Sequence, residues 1–368
     1  MPIYEYVKSG KTHYYYAFEV KEKNGKRKTL KKRGFKTKKE ARSAEAERRV
    51  EWESGMSIDP SKMTLGQYIT DWLANKNDIT PETRYTNEGH LRNHIIPELG
   101  NIKLQSLDVG HIESFISTLK KKEIAQSTIR KIFNLMQTCL KSAHRKQIIS
   151  KNPTDLMDRG SKPKVNKPNI DYWTKEEVKT FFSKLKHRQK LLFVLAIYCG
   201  MRRGEILGLR WRDIDLDNRR IHVRNSLRPQ QGLTNNVKTA AGYRSITFSE
   251  FVKREIIRHK EMVEEEKQMK DDYRDQDLVI CQRNGDHISV GNFTRMWKYV
   301  INNTEMRYIR FHDLRHTCAS LLLSAGVHPK VVQELLGHSS IKVTMDKYSH
   351  LMPNMQAEAA DTMENLLN

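Results

Sequence analysis

The sequence predicts a multidomain α+β protein, in which a small three-stranded sheet with one helix precedes two mainly helical regions. Strand-forming aromatic residues alternate with basic ones near the N-terminus, and helical spacing of apolar residues dominates the middle. After residue 170, helical patterns alternate with short strand signals, which indicates helices with a small antiparallel sheet. A chain of 368 residues is long enough for two or three domains. We expect them over residues 1–55, 62–155 and 171–368, with a linker over residues 156–170.

The charge of the chain favours a polyanionic partner. It has 66 lysine and arginine residues against 44 acidic residues, for a formal net charge of +22. Residues 1–50 alone contain 16 basic and 6 acidic residues, so nearly half of the excess lies there. Aromatic residues and strand signals are interleaved with this charge, which favours a folded nucleic-acid-binding module over a solvated tail.

Membrane and disulfide-rich classes are disfavoured by the sequence. The longest apolar run has nine residues, 191–199, whereas a membrane span needs about 20, so this run predicts a buried helix. The first residues lack the apolar core of a signal peptide, and we expect no membrane partner. The four cysteines are far apart and lack CxxC spacing, which predicts reduced thiols rather than a zinc site. They are Cys139, Cys199, Cys281 and Cys318.

The N-terminal region is expected to fold as a β-ribbon followed by a helix. Strands are predicted over residues 3–7, 12–20 and 26–34. Asn24 and Gly25 form a two-residue turn signal, because both positions of that turn need a positive φ. Thr37 and Glu40 have the spacing of a capping box, which opens a helix that extends to about residue 53.

The tyrosines of the second strand are expected to lie on both faces of this sheet. Because successive strand side chains alternate, Tyr14 and Tyr16 belong to one face and Tyr15 to the other. The sequence leaves open which face packs on the helix. A basic ribbon of this kind is suited to a DNA groove.

The middle region is predicted to be entirely helical. Thr64 and Gln67 form a second capping box, and Thr80 caps a helix that has Pro81 at its first position. That helix is expected to end before Pro97. Further helices are predicted over residues 107–122 and 127–146. The longer one carries Arg130, Lys131, Lys141, Arg145 and Lys146 on its polar side. A solvated position explains any single lysine, but DNA contact explains the region as a whole better.

The linker and the third region complete the predicted organisation. The Pro/Lys/Asn-rich linker suits a protein that clamps a duplex from both sides, and a simple spacer remains an alternative. Helices are predicted over residues 174–185, 191–199, 251–270, 290–302, 311–325, 329–336 and 342–348. Strands are predicted over residues 219–225, 237–247 and 278–281.

An ordered set of polar residues in the third region points to phosphodiester chemistry. Arg202 follows a glycine at a helix end, and His312 and Arg315 are three residues apart on one helical face. Arginine suits this chemistry because its planar fork binds phosphate oxygens in pairs and stays charged. Two arginines on the non-bridging oxygens would stabilise the charge of a pentavalent transition state.

Tyr348 is the candidate nucleophile of this set. A tyrosine hydroxyl with an ordinary pKa of about 10 is a weak nucleophile and needs a base or a cationic pocket. His312 is the candidate base. The leaving 5′-oxygen needs a proton, and Lys238, between two strand signals, is the candidate acid. Each residue alone is a weak signal, but the ordered set in a basic chain is strong evidence.

Four motifs in the third region closely resemble those of the tyrosine recombinases. They are GMRRGEILGLRW over residues 200–211, HDLRHT over residues 312–317, LGHSS over residues 336–340 and YSH over residues 348–350. The layout of essentially the whole chain resembles the integrases of temperate phages and of integrative conjugative elements in Gram-positive bacteria. The N-terminal part of the resemblance rests on shape and charge and is looser.

The resemblance implies a role for each residue that matches a family motif. Arg202 and Arg315 would clamp the phosphate, His338 would donate a hydrogen bond to it, and Tyr348 would be the nucleophile. The remaining roles are acid–base work for Lys238 and His312 and support from Glu205 and Asp313. The lysine is the least secure of these, because the surrounding loop varies in the family and Arg244 is nearby.

The resemblance also implies the domain roles, the reaction and its partners. Residues 1–55 would be an arm-type DNA-binding domain, residues 62–155 a helical, SAM-like core-binding domain, and residues 171–368 the catalytic domain. DNA would be cut and rejoined through a covalent 3′-phosphotyrosine, without metal, ATP or another cofactor, to integrate and excise a mobile element such as a viral genome. The expected assembly is a homotetramer on double-stranded core-type and arm-type attachment sites. An excisionase and a host DNA-bending protein are further expected partners, in the bacterial cytoplasm and at the nucleoid.

Three alternatives remain open from the sequence. A type IB topoisomerase-like enzyme shares the chemistry, but a separate arm-binding module favours recombination at defined sites. A metal-dependent transposase or relaxase requires a carboxylate triad or a histidine cluster, and the sequence has no convincing one. A catalytically silent DNA-binding regulator is disfavoured because Tyr348, both arginines and both histidines are present.

Overall fold

The computed structural model divides the chain into two compact units, residues 1–166 and residues 167–368. It describes residues 3–8, 10–21, 27–53, 63–165, 171–229, 231–234, 243–349, 360 and 363–367. None of the helices within these ranges combines the length and the apolar character that crossing a bilayer requires.

The N-terminal sheet has three antiparallel strands in the order β1-β2-β3, followed by a helix, as predicted. Its elements are β1 (Ile3–Lys8), β2 (Lys11–Lys21), β3 (Arg27–Phe35) and α1 (Lys38–Glu53). The Thr37 hydroxyl caps α1 by accepting a hydrogen bond from the Glu40 amide at 3.2 Å. The predicted turn at Asn24 and Gly25 lies outside the described residues.

The two faces of this sheet differ in chemistry. Tyr16 is buried on the face that carries Phe18, and the guanidinium of Arg49 in α1 lies 4.7 Å from the Phe18 ring centre. Tyr15 points the other way and stacks on Tyr4 of β1, with ring centres 5.0 Å apart. The predicted alternation therefore holds for Tyr15 and Tyr16, and the buried face is the one that contains Tyr16.

The rest of the first unit is a helical bundle. Its helices are α2 (Leu65–Ala74), α3 (Pro81–His90), α4 (Ile96–Leu99), α5 (Val109–Lys121), α6 (Gln126–Arg145) and α7 (Pro153–Leu156). The predicted capping box at Thr64 and Gln67 is present, and the Thr80 side chain caps α3. Apolar residues at helical spacing form the core, as the sequence predicts. Fully buried examples are Ile69, Ile112, Ile129, Phe133 and Met136.

The predicted end of the second helix of this bundle is wrong. A π-helical turn, Leu91–Ile95, continues directly from α3 into α4, so that Pro97 lies inside a helix. A proline ring clashes with the carbonyl four residues earlier in an ordinary α-helix. The wider π-turn just before Pro97 relieves this clash, which explains why the helical backbone continues instead of ending.

The second unit packs helices around two small sheets. Its helices are α8 (Lys175–Lys184), α9 (Lys190–Tyr198), α10 (Arg203–Leu207), α11 (Glu250–Gln268), α12 (Val290–Thr304), α13 (Asp313–Ser324), α14 (Pro329–Leu336) and α15 (Ile341–Tyr348). Its strands are β4 (Ile214–Asp215), β5 (Arg220–Val223), β6 (Ser226–Arg228), β7 (Gly232–Thr234) and β8 (Arg244–Thr247). The strands form an antiparallel sheet in the order β4-β5-β8 and a β6-β7 hairpin. The hairpin was not predicted, and residues 235–242 lie outside the described residues.

The apolar run at residues 191–199 forms α9, the buried helix that the sequence predicts. Aromatic rings surround it: the Phe193 ring centre lies 5.6 Å from that of Trp297 and 5.5 Å from that of Phe181. Trp173 is fully buried beside Phe181, and its indole N–H donates to the Arg307 carbonyl at 3.1 Å. This core fixes the end of α9, from which the polar site begins.

The strand predicted over residues 278–281 is wrong. Leu278 and Cys281 each make only an isolated β-bridge. Between them, the Val279 amide donates to the Leu209 carbonyl at 2.9 Å, and the Val279 carbonyl lies 2.8 Å from His259 Nε2 on α11. Because a loop carbonyl and a helix side chain use these backbone groups, the buried apolar segment has no sheet ladder to join.

The buried His259 makes stability depend on pH. Burial is the main cause that lowers its pKa from 6.5 to about 4. The unfolded chain therefore binds a proton between these values that the folded chain does not, so the free energy of unfolding falls as pH falls from 6.5 to 4. This residue contributes a loss of roughly 3 kcal/mol at most. In urea titrations, His259→Gln should lose less stability than the native chain over that window, and an identical loss would contradict this origin.

Candidate active site

Three arginines converge on the C-terminal end of α14. The carbonyl groups of Leu335, Leu336 and Gly337 each accept a hydrogen bond from a different guanidinium, at 2.8 Å for Leu335 and 3.0 Å for Gly337. The donors are Arg244, Arg315 and Arg202, in that order. The last carbonyl groups of a helix lack partners within the helix and form the negative end of its dipole, so they attract cations. We call Arg202, Arg244 and Arg315 the arginine cluster.

Gly337 ends α14 in a left-handed conformation, with φ of 64°. Its amide donates to the Glu334 carbonyl at 3.0 Å, and the His338 amide donates to the Gln333 carbonyl at 3.1 Å. This is the Schellman arrangement of a helix end, which favours glycine because a side chain is strained at positive φ. The turn therefore exposes the final carbonyls to the arginine cluster and sets His338 directly after them.

Glu205 is the buried counter-ion of the arginine cluster. Its carboxylate accepts from Arg202 Nη1 at 2.7 Å and from Arg244 Nη2 at 2.8 Å, and its side chain is 4% exposed. Burial alone would raise the pKa of this carboxyl, but the hydrogen bonds and charges of Arg244 and Arg202 outweigh it and lower the pKa to about 2. Glu205 is therefore ionised at neutral pH and orients two of the three guanidinium groups.

Arg315 is the most buried arginine of the cluster, and its guanidinium donates hydrogen bonds to two neutral carbonyl oxygens. Its Nη1 donates to the Gly200 carbonyl at 2.6 Å, just beyond α9, and its Nη2 donates to Leu336. Burial, followed by the charge of Arg202, lowers the pKa of Arg315 to about 9, so it remains charged at pH 7. Gly200 leaves room for the Leu336 side chain at the end of α9, because a Cβ there would lie 2.6 Å from Leu336 Cδ2.

Tyr348, the last residue of α15, lies against the start of α13. Its side chain is 1% exposed, and its hydroxyl is hydrogen-bonded to Nδ1 of His316. The ring of His312 meets that of His316 edge to face, with centres 5.3 Å apart. His338 Nδ1 lies 2.9 Å from the hydroxyl of the buried Thr344 on α15. These contacts place a tyrosine and three histidines beside the arginine cluster.

Burial sets the protonation of this group of rings. It is the main cause that lowers the pKa of His312 and of His316 to about 4 and that of His338 to about 3. It also raises the pKa of Tyr348 well above its usual value, although the charge of Arg315 acts in the opposite direction. At neutral pH the three imidazoles are uncharged and the phenol holds its proton.

The structure brings together most of the residues singled out in the sequence. Arg202, Arg315, His338, His312 and Tyr348 all lie in this site, with Asp313 beside them, hydrogen-bonded to the Arg310 amide at 3.0 Å. Lys238 lies outside the described residues, so its assignment stays a prediction. Across the described parts of the chain, no group of three or more histidine, cysteine, aspartate or glutamate side chains is arranged to hold a metal ion.

Sequence reasoning missed two residues of the site. His316 belongs to the HDLRHT motif, follows Arg315 directly and lies one helical turn after His312. That spacing could have placed it on the same face. Arg244 lies near Lys238 in the sequence, and nothing local in the sequence predicts that its side chain reaches Glu205.

Comparison with known families identifies the chain. The model of the phage integrase family matches residues 171–355, half of the 368 residues. The chain belongs to the phage integrase family. Two further family models match the integrase nearer its N-terminus: an arm DNA-binding domain over residues 2–51 and a phage integrase N-terminal SAM-like domain over residues 64–120.

Curated relatives align with nearly the whole integrase. A tyrosine recombinase XerC-like protein of Caldanaerobacter subterraneus subsp. tengcongensis is 29% identical over 385 aligned positions, which cover 98% of each chain. The ICEBs1 integrase of Bacillus subtilis is 28% identical and covers 90% of this chain and 91% of its own. The integrase is a tyrosine-type site-specific DNA recombinase, as the sequence motifs predict.

Solved structures show the same architecture. A Tn1549 transposon integrase in complex with transposon right-end DNA is 22% identical and superposes with a TM-score of 0.70, covering 83% of this chain and all of its own. A lambda integrase tetramer bound to a Holliday junction is 16% identical, with a TM-score of 0.57 over 95% of both chains. The predicted fold class is confirmed: a small N-terminal sheet, a helical domain and a mainly helical catalytic domain with a small sheet.

Glu205 provides a test of how the arginine cluster is held. Glu205→Gln keeps the shape of the side chain but removes the carboxylate that pairs with Arg202 and Arg244. Removing one partner of a buried ion pair typically costs about 3–5 kcal/mol, and chemical denaturation should show a loss of that order. Glu305→Gln is the control, because Glu305 pairs with Lys184 at an exposed position and its loss should change stability little. Equal stability of the two variants would contradict a structural role for Glu205.

Proposed function

We propose that Tyr348 attacks a scissile DNA phosphate held by Arg202 and Arg315, and becomes joined to the 3′ side of the break as a phosphotyrosine. The observation that carries this proposal is the position of the buried tyrosine beside the arginine cluster. Three guanidinium groups converge there, and the buried Arg315 donates its hydrogen bonds to the neutral carbonyls of Gly200 and Leu336. Such a group of cations attracts an anionic phosphate.

The transition state determines which groups matter. A pentavalent phosphorus carries extra negative charge on its non-bridging oxygens, and preorganised guanidinium forks stabilise that charge without having to reorganise. Hydrogen bonds to helix-end carbonyls already orient Arg202 and Arg315. His338 uses Nδ1 for Thr344, which directs Nε2 to the phosphate as a hydrogen-bond donor.

Acid–base work accompanies the attack. We assign protonation of the leaving 5′-oxygen to Lys238 and a supporting acid–base role to His312, as the sequence motifs imply. The phosphotyrosine ester keeps the energy of the original phosphodiester. A free 5′-hydroxyl can therefore attack it and rejoin the strand without ATP.

The N-terminal sheet is proposed to bind arm-type sites. On the face opposite α1, the Lys31 ammonium lies 4.5 Å from the Tyr15 ring centre and the Arg33 guanidinium 5.3 Å from it. Cations held over aromatic rings on a twisted ribbon can reach backbone phosphates while the rings pack against sugars and bases. The family model that matches residues 2–51 is that of an arm DNA-binding domain, which supports this role.

The remaining domains are proposed to grip the core-type site. We assign residues 62–155 to core binding, residues 156–170 to the linker and residues 171–368 to catalysis. A homotetramer on two DNA sites is supported by the lambda integrase tetramer on a Holliday junction. The name of the ICEBs1 integrase supports a role in integrating a mobile element. We assign excision of that element to the same protein and place both reactions in the bacterial cytoplasm and at the nucleoid. An excisionase and a host DNA-bending protein would set the direction of recombination.

The nucleophile is tested by trapping the covalent step. On a nicked core-site duplex, the native chain should form a denaturant-stable protein–DNA adduct in the presence of EDTA. Tyr348→Phe should bind the same duplex but form no adduct, because it lacks the attacking oxygen. An adduct in the Tyr348→Phe variant would move the nucleophile elsewhere. DNA binding without an adduct in the native chain would favour a catalytically silent regulator.

The arm-binding proposal predicts a change in salt dependence. Each phosphate contact contributes about −0.9 to the slope of log K against log salt. Deleting residues 1–50, which carry a net charge of +10, should therefore abolish high-affinity binding to arm DNA and flatten that slope. Unchanged affinity and slope would count against an arm-binding domain.

A double variant tests whether the arm contact lies on the Tyr15 face of the sheet. Lys31→Ala/Arg33→Ala should reduce the magnitude of the slope of log K against log salt by about 2, one phosphate contact for each residue. Lys38→Ala/Lys39→Ala is the matched control, because it removes the same charge from α1. Equal effects of the two variants would assign the salt dependence to net charge rather than to the Tyr15 face.

A further inference from the structure

The hydroxyl of Tyr348 is hydrogen-bonded to His316, a histidine to which the proposed function gives no role. His316 on α13 presents Nδ1 to the phenolic oxygen, and the two ring centres lie 5.7 Å apart. His316 is 7% exposed and Tyr348 1% exposed, so protein surrounds the pair. The nitrogen therefore touches the atom that the proposed function assigns to attack.

The chemistry of the two partners fixes the direction of this hydrogen bond. The phenol keeps its proton, since burial raises the pKa of Tyr348. Burial, followed by the neighbouring His312, lowers the pKa of His316 to about 4, so its imidazole is neutral at pH 7. A neutral imidazole that accepts at Nδ1 carries its own proton on Nε2. The arrangement is that of a hydroxyl hydrogen-bonded to a free base.

We propose that His316 is the general base of the strand-cleavage step, a role that rests on Tyr348 being the nucleophile. The bond from the phenolic oxygen to phosphorus forms while the bond from phosphorus to the 5′-oxygen breaks. The phenolic O–H bond breaks in the same step, and its proton passes to Nδ1. The leaving 5′-oxygen takes a proton from the acid. In religation the 5′-hydroxyl attacks, and Nδ1 returns its proton to the phenolic oxygen.

The position of His312 argues for a different task for that residue. His312 meets the ring of His316 edge to face, whereas His316 contacts the phenolic oxygen itself. A base must lie within hydrogen-bond reach of the proton that it takes. The base role that the sequence suggests for His312 therefore passes to His316, and His312 is left to act at the phosphate or at the leaving oxygen.

The test compares three variants of the full chain. His316→Asn keeps a hydrogen-bond acceptor near the position of Nδ1 but has no basic nitrogen, and His316→Ala removes both. Lys238→Ala is the matched control for loss of the proposed acid.

The probe is a nicked core-site duplex selected from a random pool by binding to the native chain, with the cleaved bond mapped from the native adduct. A second version carries sulfur in place of the leaving 5′-oxygen, and such a sulfur leaves without a proton.

We expect His316→Asn to bind the duplex normally and to form the adduct at least about 100-fold more slowly than the native chain. The defect should persist on the sulfur substrate, because a better leaving group does not replace a base. Lys238→Ala should be slow on the oxygen substrate and regain its rate on the sulfur substrate. His316→Ala should be at least as slow as His316→Asn on both.

Two kinetic results would overturn the proposal. An adduct rate for His316→Asn within about threefold of the native rate would make His316 a positioning residue at most, because general bases contribute about 100-fold or more. A faster rate would mean that the contact holds the tyrosine back. Absence of an adduct in the native chain is a different result, since it rejects the proposed function itself.

A measurement on the free protein covers the case in which the His316 variants do not fold. Nitrogen NMR of the native chain should find Nδ1 of His316 unprotonated and Nε2 protonated. The Nδ1 shift should change in Tyr348→Phe, which removes the donor. A proton on Nδ1, or a shift unaffected by Tyr348→Phe, would overturn the proposal without any DNA.

Discussion

The end of α14 organises the site. Its last carbonyl groups, on Leu335, Leu336 and Gly337, have no partners further along the helix, and each takes a different guanidinium. Like charges gather there because the negative end of the helix dipole and the buried Glu205 carboxylate offset their repulsion. The left-handed turn at Gly337 makes this possible, since it ends the helix abruptly and leaves the carbonyls accessible.

Partial compensation of charge keeps the arginine cluster assembled. Burying cations without counter-ions would be costly. The Glu205 carboxylate and the helix-end carbonyl groups offset that cost for the arginine cluster. Burial lowers the pKa of Arg315, which still remains charged at pH 7, and the same burial keeps the neighbouring imidazoles neutral and the phenol of Tyr348 protonated. Arg315 is therefore charged at neutral pH while Tyr348, the proposed nucleophile, keeps its proton.

The histidines of the site differ in their hydrogen-bond partners. His338 is tied through Nδ1 to Thr344, and His316 through Nδ1 to Tyr348 itself. Both partners belong to α15, so this helix carries the proposed nucleophile and also provides a hydrogen-bond partner to each of the two histidines. This coupling means that the packing of α15 against α13 and α14 determines whether the site is assembled.

Local sequence patterns predicted most of the fold. The features that depend on contacts between distant residues could not be predicted from them. Capping boxes and apolar spacing located most helices, because these signals depend on neighbours a few residues away. The helix through Pro97 and the segment at residues 278–281 were mispredicted, since a π-turn and a contact from His259 decide them. In the site, motif resemblance indicated Arg202, Arg315, His338 and Tyr348. Arg244 and His316 were missed because their roles depend on partners 39 and 32 residues away.

The central claim is that the arginine cluster is held by the end of α14 before DNA arrives and receives the phosphate without being rebuilt. The most direct test is a crystal structure of the Tyr348→Phe variant with an intact core-site duplex. We predict the scissile phosphate within hydrogen-bond distance of Arg202 and Arg315, with their bonds to the Gly337 and Leu336 carbonyls retained. A phosphate bound elsewhere, or guanidinium groups that have left those carbonyls, would contradict the account.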